Sequence, residues 1–522
     1  MRVNEYMFLL LLNLIFHQSA FPAGSRYESG YERAYFEVST FTTKTVAGKL
    51  VYRNNWYSNE GHSAVWLFAK DKSGHSISID SVIAFSGQIS YKLSKNRKGV
   101  ILINPSGTAV ECIDVKINFS VHAEFAKIHV LEMVLVNEGA YDLGCAKSYE
   151  DRNTILTGKG TLGAPLNAFY QSDVNGNYAG PYKVKSEATL KIGDCMGCLY
   201  AKDAKIPGVN TYSGEKAGRL PASFPKGFTA FYQMRYELSE AQYCDFLNSL
   251  TDRQSTNRIN LAGEFQGENR RKFGNFIRLA EEGFITTSPL QPCSFLSWSD
   301  CLAYADWAGL RIMTELEFEK SARGFNASKF REFCWGDEQI SLSNGLILGG
   351  SASGTKVAGN AHINYLGFSN YADVCPTSKA RYRGCRTLND SLAYRGPITT
   401  GIHAYSADRK DRSSTGASYF GAMDLSGNLR EPVVPIGWAA NRRGYTNHLG
   451  DGSIDKDGNS NETAWKFLLQ EDTVFGYRGG GWSYHENHGQ IADRFNVFRQ
   501  GIEKRTPYAG FRGVVGIPSN VY

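Results

Sequence analysis

A short segment near the C-terminus carries residue types that could bind a metal ion. His485, Glu486 and His488 lie close together in the chain, and imidazole is a ligand that suits zinc, iron or copper. One tight loop rarely supplies enough ligands by itself. The segment therefore has two interpretations: a metal site that includes His485 and His488, or a polar surface loop within a binding pocket.

The cysteines are the other reactive side chains. They are Cys112, Cys145, Cys195, Cys198, Cys244, Cys293, Cys301, Cys334, Cys375 and Cys385. An even number of cysteines permits disulfide bonds in an exported chain, although the sequence does not define which cysteines pair. Cys195 and Cys198 form a Cys-Met-Gly-Cys motif, which could be redox-active, half of a metal site or a tight structural bridge. The flanking residues lack the βαβ pattern of a thioredoxin-like site, so we predict a structural role.

The N-terminus has the features of a secretory signal peptide. Arg2 supplies a weak positive charge, and an apolar run at Phe8–Phe16 is followed by small residues up to Ala23. The run is too short for a typical membrane span. We predict that residues 1–23 are removed and that the mature protein is secreted, periplasmic or at the cell surface, without a transmembrane span. An uncleaved anchor is the alternative.

The composition describes a folded, turn-rich chain. Hydrophobic residues make up 42% and charged residues 21% of the sequence, which is typical of a globular protein. The 54 glycines and the 13% of aromatic residues indicate many turns, with large rings filling the core between short elements. The net charge of +6 is spread along the chain without a basic cluster, so we expect no nucleic-acid partner.

Strand-like patterns dominate residues 35–128. Runs such as Ala64–Ala69, Gly99–Ile103 and Val115–Val121 are rich in β-branched residues and are separated by turn signals. This pattern predicts a small, all-β, sandwich-like domain. We find no catalytic constellation in these residues, so a binding or spacer role is expected.

Helix caps predict helices farther along the chain. One helix begins at Ser239, where Gln242 completes a capping box. A second runs over about Ser297–Trp307, and a third begins at Thr314, with Glu317 as its capping partner.

A series of motifs extends from residue 132 to residue 512 and includes these three helices. The motifs are Glu132–Gly144, Tyr236–Leu247, Pro292–Arg311, Ile312–Gly324, Phe333–Gly336, Asp424–Glu431, Tyr477–Trp482 and Ala509–Arg512. In content and order they resemble the formylglycine-generating enzyme family, also called the sulfatase-modifying-factor domain. The resemblance covers residues 129–518. It implies a loop-rich α+β fold of the modified C-type-lectin kind, preceded here by the sandwich-like β domain, as in exported bacterial relatives.

The family resemblance also implies a copper chemistry that this sequence lacks. Family enzymes oxidise a substrate cysteine with two copper-binding cysteines that lie between the last two motifs. Here no cysteine follows Cys385, and the aligned positions fall near Tyr484 and at His488–Gln490. Because copper(I) prefers thiolates, we expect neither a copper site nor formylglycine oxidase activity. The related ergothioneine-type route uses a helical bundle with iron-binding histidines, and the all-β N-terminal unit does not resemble one.

A calcium site is implied at the turn that ends the Asp424–Glu431 motif. Oxygen atoms of Asn428 and Glu431 suit a hard cation. The family's Trp-Glu-Trp sequence is replaced by Arg430-Glu431-Pro432, so the carboxylate is kept and the flanking aromatic residues are lost.

The same resemblance places a ligand pocket beside this turn. The predicted pocket residues are Trp482, Tyr484, His485, Arg494 and Arg499. With Phe495, the aromatic residues could form a wall for a peptide or glycan, or they could simply fill the core. The arginines, together with Arg478 and Arg512, are expected to brace glycine-rich loops or pair with carboxylates more readily than to bind a ligand.

These features predict an exported binding or structural scaffold without the family's oxidase chemistry. Its expected partner is an extracellular or periplasmic protein, a peptide or a glycan. A metal-dependent oxidoreductase that uses the His485–His488 loop is one alternative. A lectin-fold receptor diversified in its C-terminal segment is another.

Overall fold

The computed structural model describes residues 34–516, apart from 52–61, 86–88, 105–112, 125, 147–164, 202–214, 260–269, 271–272, 340–395, 402–403, 405–410, 438–442, 471, 483 and 485. The predicted signal peptide, the side chain of His485 and three cysteines lie outside the described residues. These cysteines are Cys112, Cys375 and Cys385.

Short β-strands form most of the regular structure. They are β1 (Tyr35–Thr42), β2 (Thr45–Val51), β3 (Ser63–Lys70), β4 (Ser76–Ile77), β5 (Ile79–Ala84), β6 (Ser90–Leu93), β7 (Val100–Asn104), β8 (Ile113–Phe119), β9 (Lys127–Val136), β10 (Tyr141–Leu143), β11 (Tyr170–Gln171), β12 (Tyr182–Val184), β13 (Leu190–Ile192), β14 (Leu199–Tyr200), β15 (Gly218–Leu220), β16 (Phe231–Met234), β17 (Arg278–Ala280), β18 (Gly283–Ile285), β19 (Arg311–Ile312), β20 (Glu431–Val433), β21 (Gly476–Arg478) and β22 (Gly513–Gly516).

The helices are short. They are α1 (Glu240–Leu247), α2 (Asp252–Ile259), α3 (Trp298–Trp307), α4 (Glu315–Arg323) and α5 (Arg412–Thr415), with 3₁₀ turns at Thr463–Leu468 and Glu486–Gly489. Ser239, Ser297 and Thr314 cap α1, α3 and α4 in reciprocal capping boxes, which confirms these predicted starts. Within the described ranges, none of the helices is long and apolar enough to cross a membrane. The few helices and the many short strands agree with the predicted α+β class.

Strand β3 is the centre of the N-terminal half because both of its faces are buried. Val65 and Leu67 pack into a core shared with the sheet β1-β2-β8-β5. Trp66 and Phe68, which alternate with them, pack into the main core on the other face. Alternate residues of a strand point to opposite faces, so β3 joins two layers, and the arrangement is sandwich-like.

One sheet joins the N-terminal and C-terminal parts of the described chain. Its order is β19-β22-β16-β9-β3-β7-β6. Strand β9 pairs with β3 on one side and with β16 on the other. The predicted domain boundary at residues 128 and 129 falls inside β9, and residues on both sides of it share this sheet. The division into two domains stays a prediction.

Direct contacts also join β3 to the helical region. Trp66 Nε1 donates to the carbonyl oxygen of Ala308 at 2.8 Å, at the end of α3. Lys70 Nζ is buried and donates to the carbonyl oxygen of Gly452 at 2.8 Å. The N-terminal strands therefore support the helix that carries the main core.

Replacing Trp66 tests this support. Trp66 has 0% of its surface exposed, and truncation of a buried Trp costs about 3–5 kcal/mol of folding free energy. We expect Trp66→Ala to lower the urea unfolding midpoint strongly. Val38→Ala is the control, because Val38 is 45% exposed. A Trp66→Ala midpoint equal to that of the control would show that β3 does not support the core.

Candidate functional site

Three of the motifs that resemble the family meet beside β20 and β21. Strand pairing sets Glu431 opposite Arg478. The amide of Trp482 donates to the carbonyl oxygen of Asn428 at 2.8 Å. Arg430 forms a parallel bridge to Ala509. The structure thus brings together the Asp424–Glu431 turn, the Tyr477–Trp482 segment and the Ala509–Arg512 segment, which are far apart in sequence.

Two arginines near this junction are buried in an ionic cluster. Arg494 Nε donates to Glu315 Oε2 at 2.7 Å, and Arg478 Nη1 donates to the same oxygen at 3.2 Å. Arg478 Nη2 also donates to Glu319 Oε1 at 2.6 Å. Arg494 is 0% exposed. The structure therefore places this predicted pocket residue in the core, where it pairs with carboxylates.

Arg512 and Glu431 form another buried pair. Arg512 Nε donates to Glu431 Oε1 at 3.0 Å. Glu431 Oε2 is buried without a hydrogen-bond partner. Burial raises the pKa of Glu431 to about 8, against the opposing effect of the Arg512 charge.

The side chain of Asn428 is also engaged within the protein. Its Oδ1 accepts from the amide of Ile398 at 2.9 Å, and its Nδ2 donates to Glu237 Oε2 at 2.6 Å. Asn428 Oδ1 and Glu431 Oε1 both accept hydrogen bonds, whereas Glu431 Oε2 is buried without one. One carboxylate oxygen at the predicted calcium turn is therefore left without a partner. Calcium binding at this turn stays a prediction.

Trp482 and His488 have different surroundings. Trp482 is 4% exposed, and its Nε1 donates to the carbonyl oxygen of Pro507 at 2.9 Å. His488 is half-buried and stacks on Phe495 with 4.2 Å between ring centroids, while its Nδ1 lies 3.2 Å from Asp493 Oδ1. Trp482 thus contributes mainly to the core, and His488 lies at the surface of the site.

Metal ligation by the predicted histidine pair is not resolved by these contacts. In the part of the chain that the structure describes, no group of three or more His, Cys, Asp or Glu residues is arranged to hold a metal ion. His485 lies outside that part, so the metal site at His485 and His488 stays a prediction.

Arg430, Tyr477, Tyr484 and Arg499 form what we call the arginine–tyrosine cluster. Arg430 Nη1 donates to the hydroxyl oxygen of Tyr484. The Arg430 guanidinium carbon lies 4.1 Å from the centroid of the Tyr477 ring and 5.2 Å from that of Tyr484. Arg499 pairs through its backbone with Phe475, beside Tyr477. Tyr484 therefore lies against the guanidinium of Arg430. The family resemblance places one of the copper-binding cysteines near this residue.

Arg430 is a site residue that sequence reasoning did not select. Its signal was the replacement of an aromatic residue by Arg in the family's Trp-Glu-Trp sequence. That replacement alone did not reveal that Arg430 and Tyr484 meet, because they come from separate loops.

The described thiols are poorly suited to chemistry. Cys195 and Cys198 form a disulfide, as expected for a structural role. The free cysteines described are buried: Cys145, Cys244, Cys293, Cys301 and Cys334. Burial raises the pKa of Cys334 to about 12 and also raises the pKa values of Cys244, Cys293 and Cys301. Because the thiolate is the reactive form, the raised pKa values keep Cys244, Cys293, Cys301 and Cys334 protonated and unreactive at neutral pH.

Comparisons with known proteins agree with this architecture. A family profile described as "Sulfatase-modifying factor enzyme 1-like domain" matches residues 201–517. The chain is 50% identical over 54 residues to the formylglycine-generating enzyme of Streptomyces coelicolor, covering 10% of this chain and 17% of that protein. It is 28% identical over 129 residues to the formylglycine-generating enzyme of Bos taurus, covering 21% of this chain and 34% of that protein.

These matches define the class and then the family. The loop-rich α+β arrangement is that of the C-type-lectin-like class. The chain belongs to the sulfatase-modifying factor enzyme 1-like domain family. It spans 17% to 34% of the length of the two relatives described. The profile begins at residue 201, whereas the predicted domain begins at residue 129, so that earlier start stays a prediction.

Alkylation tests the state of the thiols. We expect iodoacetamide at pH 8 to leave Cys244, Cys293, Cys301 and Cys334 unlabelled in the native protein, because burial keeps them protonated and inaccessible. Peptide mass spectrometry after labelling measures each position, and labelling in urea provides the control. Rapid labelling of any of these cysteines in the native protein would contradict the assignment.

Proposed function

We propose that this protein is an exported binding or structural scaffold that uses the family fold without formylglycine oxidase chemistry. One observation carries the proposal: Tyr484, near the position where the resemblance places a family cysteine, accepts a hydrogen bond from the guanidinium of Arg430. The copper(I) site that the family resemblance implies uses soft thiolates. A phenol held by a cation does not fit that ion.

Export is the second part of the proposal. The apolar N-terminal run in the sequence supports it, and so does the Cys195–Cys198 disulfide, since disulfides persist in oxidising compartments. The partner would be a protein, peptide or glycan outside the cytoplasm.

An oxidase activity is the principal competitor, because the matching relatives are named formylglycine-generating enzymes. We expect the purified mature protein, supplied with copper and oxygen, to form no aldehyde on a sulfatase-type cysteine peptide. Mass spectrometry detects the loss of the thiol and gain of the aldehyde. An authentic formylglycine-generating enzyme in the same assay is the control. Catalytic turnover of the peptide would refute the proposal.

A metal-dependent oxidoreductase is the second candidate, and the contact of His488 Nδ1 with Asp493 favours it. Metal-ligating histidines commonly direct their other ring nitrogen toward a carboxylate. If this candidate is right, elemental analysis finds a stoichiometric redox metal that is lost in a His485→Ala/His488→Ala variant. We expect instead that the wild-type protein and the variant contain the same metal, with no stoichiometric redox ion.

A further inference from the structure

The buried arginines around the site are, as a rule, neutralised by carboxylates. Arg478 and Arg494 pair with Glu315, and Arg512 pairs with Glu431. A guanidinium buried without an anion is costly, because burial removes its hydration. An arginine near the surface of the site that is not paired with a carboxylate therefore needs an explanation.

Arg430 and Arg499 are two such arginines. Their side-chain hydrogen bonds go to neutral oxygen atoms of Tyr484, Thr506 and Asn496, and within the described ranges neither guanidinium forms an ion pair with Asp or Glu. Arg430 is 5% exposed, and its Nε is buried without any hydrogen-bond partner. A nearly buried cation thus keeps an unused donor.

The backbone brings the two arginines to one place. Arg499 exchanges backbone hydrogen bonds with Phe475, and the amide of Tyr477 donates to the carbonyl oxygen of Asn496. The segment that ends in Arg499 therefore runs along Phe475 and Tyr477, and Arg430 stacks on the Tyr477 ring. Burial lowers the pKa of Arg499, and the nearby Arg430 charge lowers it further. The two like charges lie close together, and among the described residues no Asp or Glu carboxylate pairs with either of them.

The donors are also held in position. The amide of Arg430 donates to the carbonyl oxygen of Tyr508, and the Arg430 carbonyl oxygen accepts from Gly510. The half-buried rings of Tyr484 and Tyr508 meet edge to face, with 5.6 Å between centroids. A ligand with an anionic group attached to a flat apolar body would match this combination of fixed cations and ring surfaces.

We infer that the arginine–tyrosine cluster is an oxyanion-binding site, which takes a carboxylate or sulfate group carried on an aromatic or other apolar body. Guanidinium groups recognise both oxyanions through paired N–H donors. The inference rests on the proposed binding function and specifies the chemistry of its ligand.

Saturation-transfer NMR with benzoate and phenyl sulfate tests the inference on the mature protein. We expect at least one of these anions to bind, and neutral benzamide to bind much more weakly. Arg499→Gln should weaken binding about tenfold or more, the effect of losing one charge-assisted hydrogen bond. Preference for benzoate would identify a carboxylate ligand, and preference for phenyl sulfate a sulfate ester.

Two further variants make the test specific. Lys504→Gln removes a positive charge from the exposed segment nearby and should leave binding unchanged. Arg499→Lys keeps the positive charge but lacks the paired N–H donors of the guanidinium. This variant should bind the anion with an affinity between those of the wild-type protein and Arg499→Gln. Because Arg499 is only half-buried, its variants should keep the wild-type thermal unfolding midpoint, whereas changes at the buried Arg430 risk misfolding.

The inference would be overturned if neither anion binds, if benzamide binds as well as benzoate, or if Arg499→Gln binds like the wild-type protein. These outcomes are separate from those of the aldehyde assay. If the protein forms no aldehyde and binds no anion, only this inference is contradicted, and the proposed function stands. If the protein forms the aldehyde, the proposed function is contradicted, whether or not the anions bind.

Discussion

The Glu315 carboxylate, at the start of α4, is the contact on which the site depends. It accepts hydrogen bonds from Arg478 and Arg494, and its Oε1 also accepts from the amide of Ile436. All three charged side chains are completely buried. Removal of one partner from such a pair leaves an uncompensated buried charge, which is strongly destabilising. In a region with little regular structure, these ion pairs hold loops from distant parts of the chain against one helix.

The same loops determine what the site offers to a ligand. With its deeper arginines neutralised, the segment after β21 presents Tyr484 and Arg499 beside Arg430, where the family resemblance predicts copper-binding thiols. Sulfur ligands and guanidinium cations have opposite preferences: thiolates bind soft cations, whereas guanidinium binds oxyanions. Under the proposed function the scaffold is kept, and the chemistry expected at its surface changes from thiol oxidation to anion recognition.

Local features of this fold were predictable from sequence, and long-range ones were not. The capping boxes at Ser239 and Thr314 were found because capping involves residues only three apart. Helix α2 was missed because Asp252–Ile259 is almost entirely polar. The continuation of one sheet through β9 depends on pairing between distant strands, which alternation does not specify. Arg494 was included in the pocket and was also expected to pair with carboxylates, but its residue type did not reveal that the partners are Glu215 and Glu315. The position of Arg430 against Tyr484 was hidden for the same reason.

The absence of a copper(I) thiolate site is the central claim, and a copper(I) titration tests it most directly. The mature protein, with its Cys195–Cys198 disulfide intact, would compete with a chromogenic copper(I) chelator under anaerobic conditions, with absorbance reporting the chelator-bound ion. The account predicts that the chelator keeps its copper at every protein concentration, since the free cysteines among the described residues are buried. Transfer of one equivalent of copper(I) to the folded protein would contradict it.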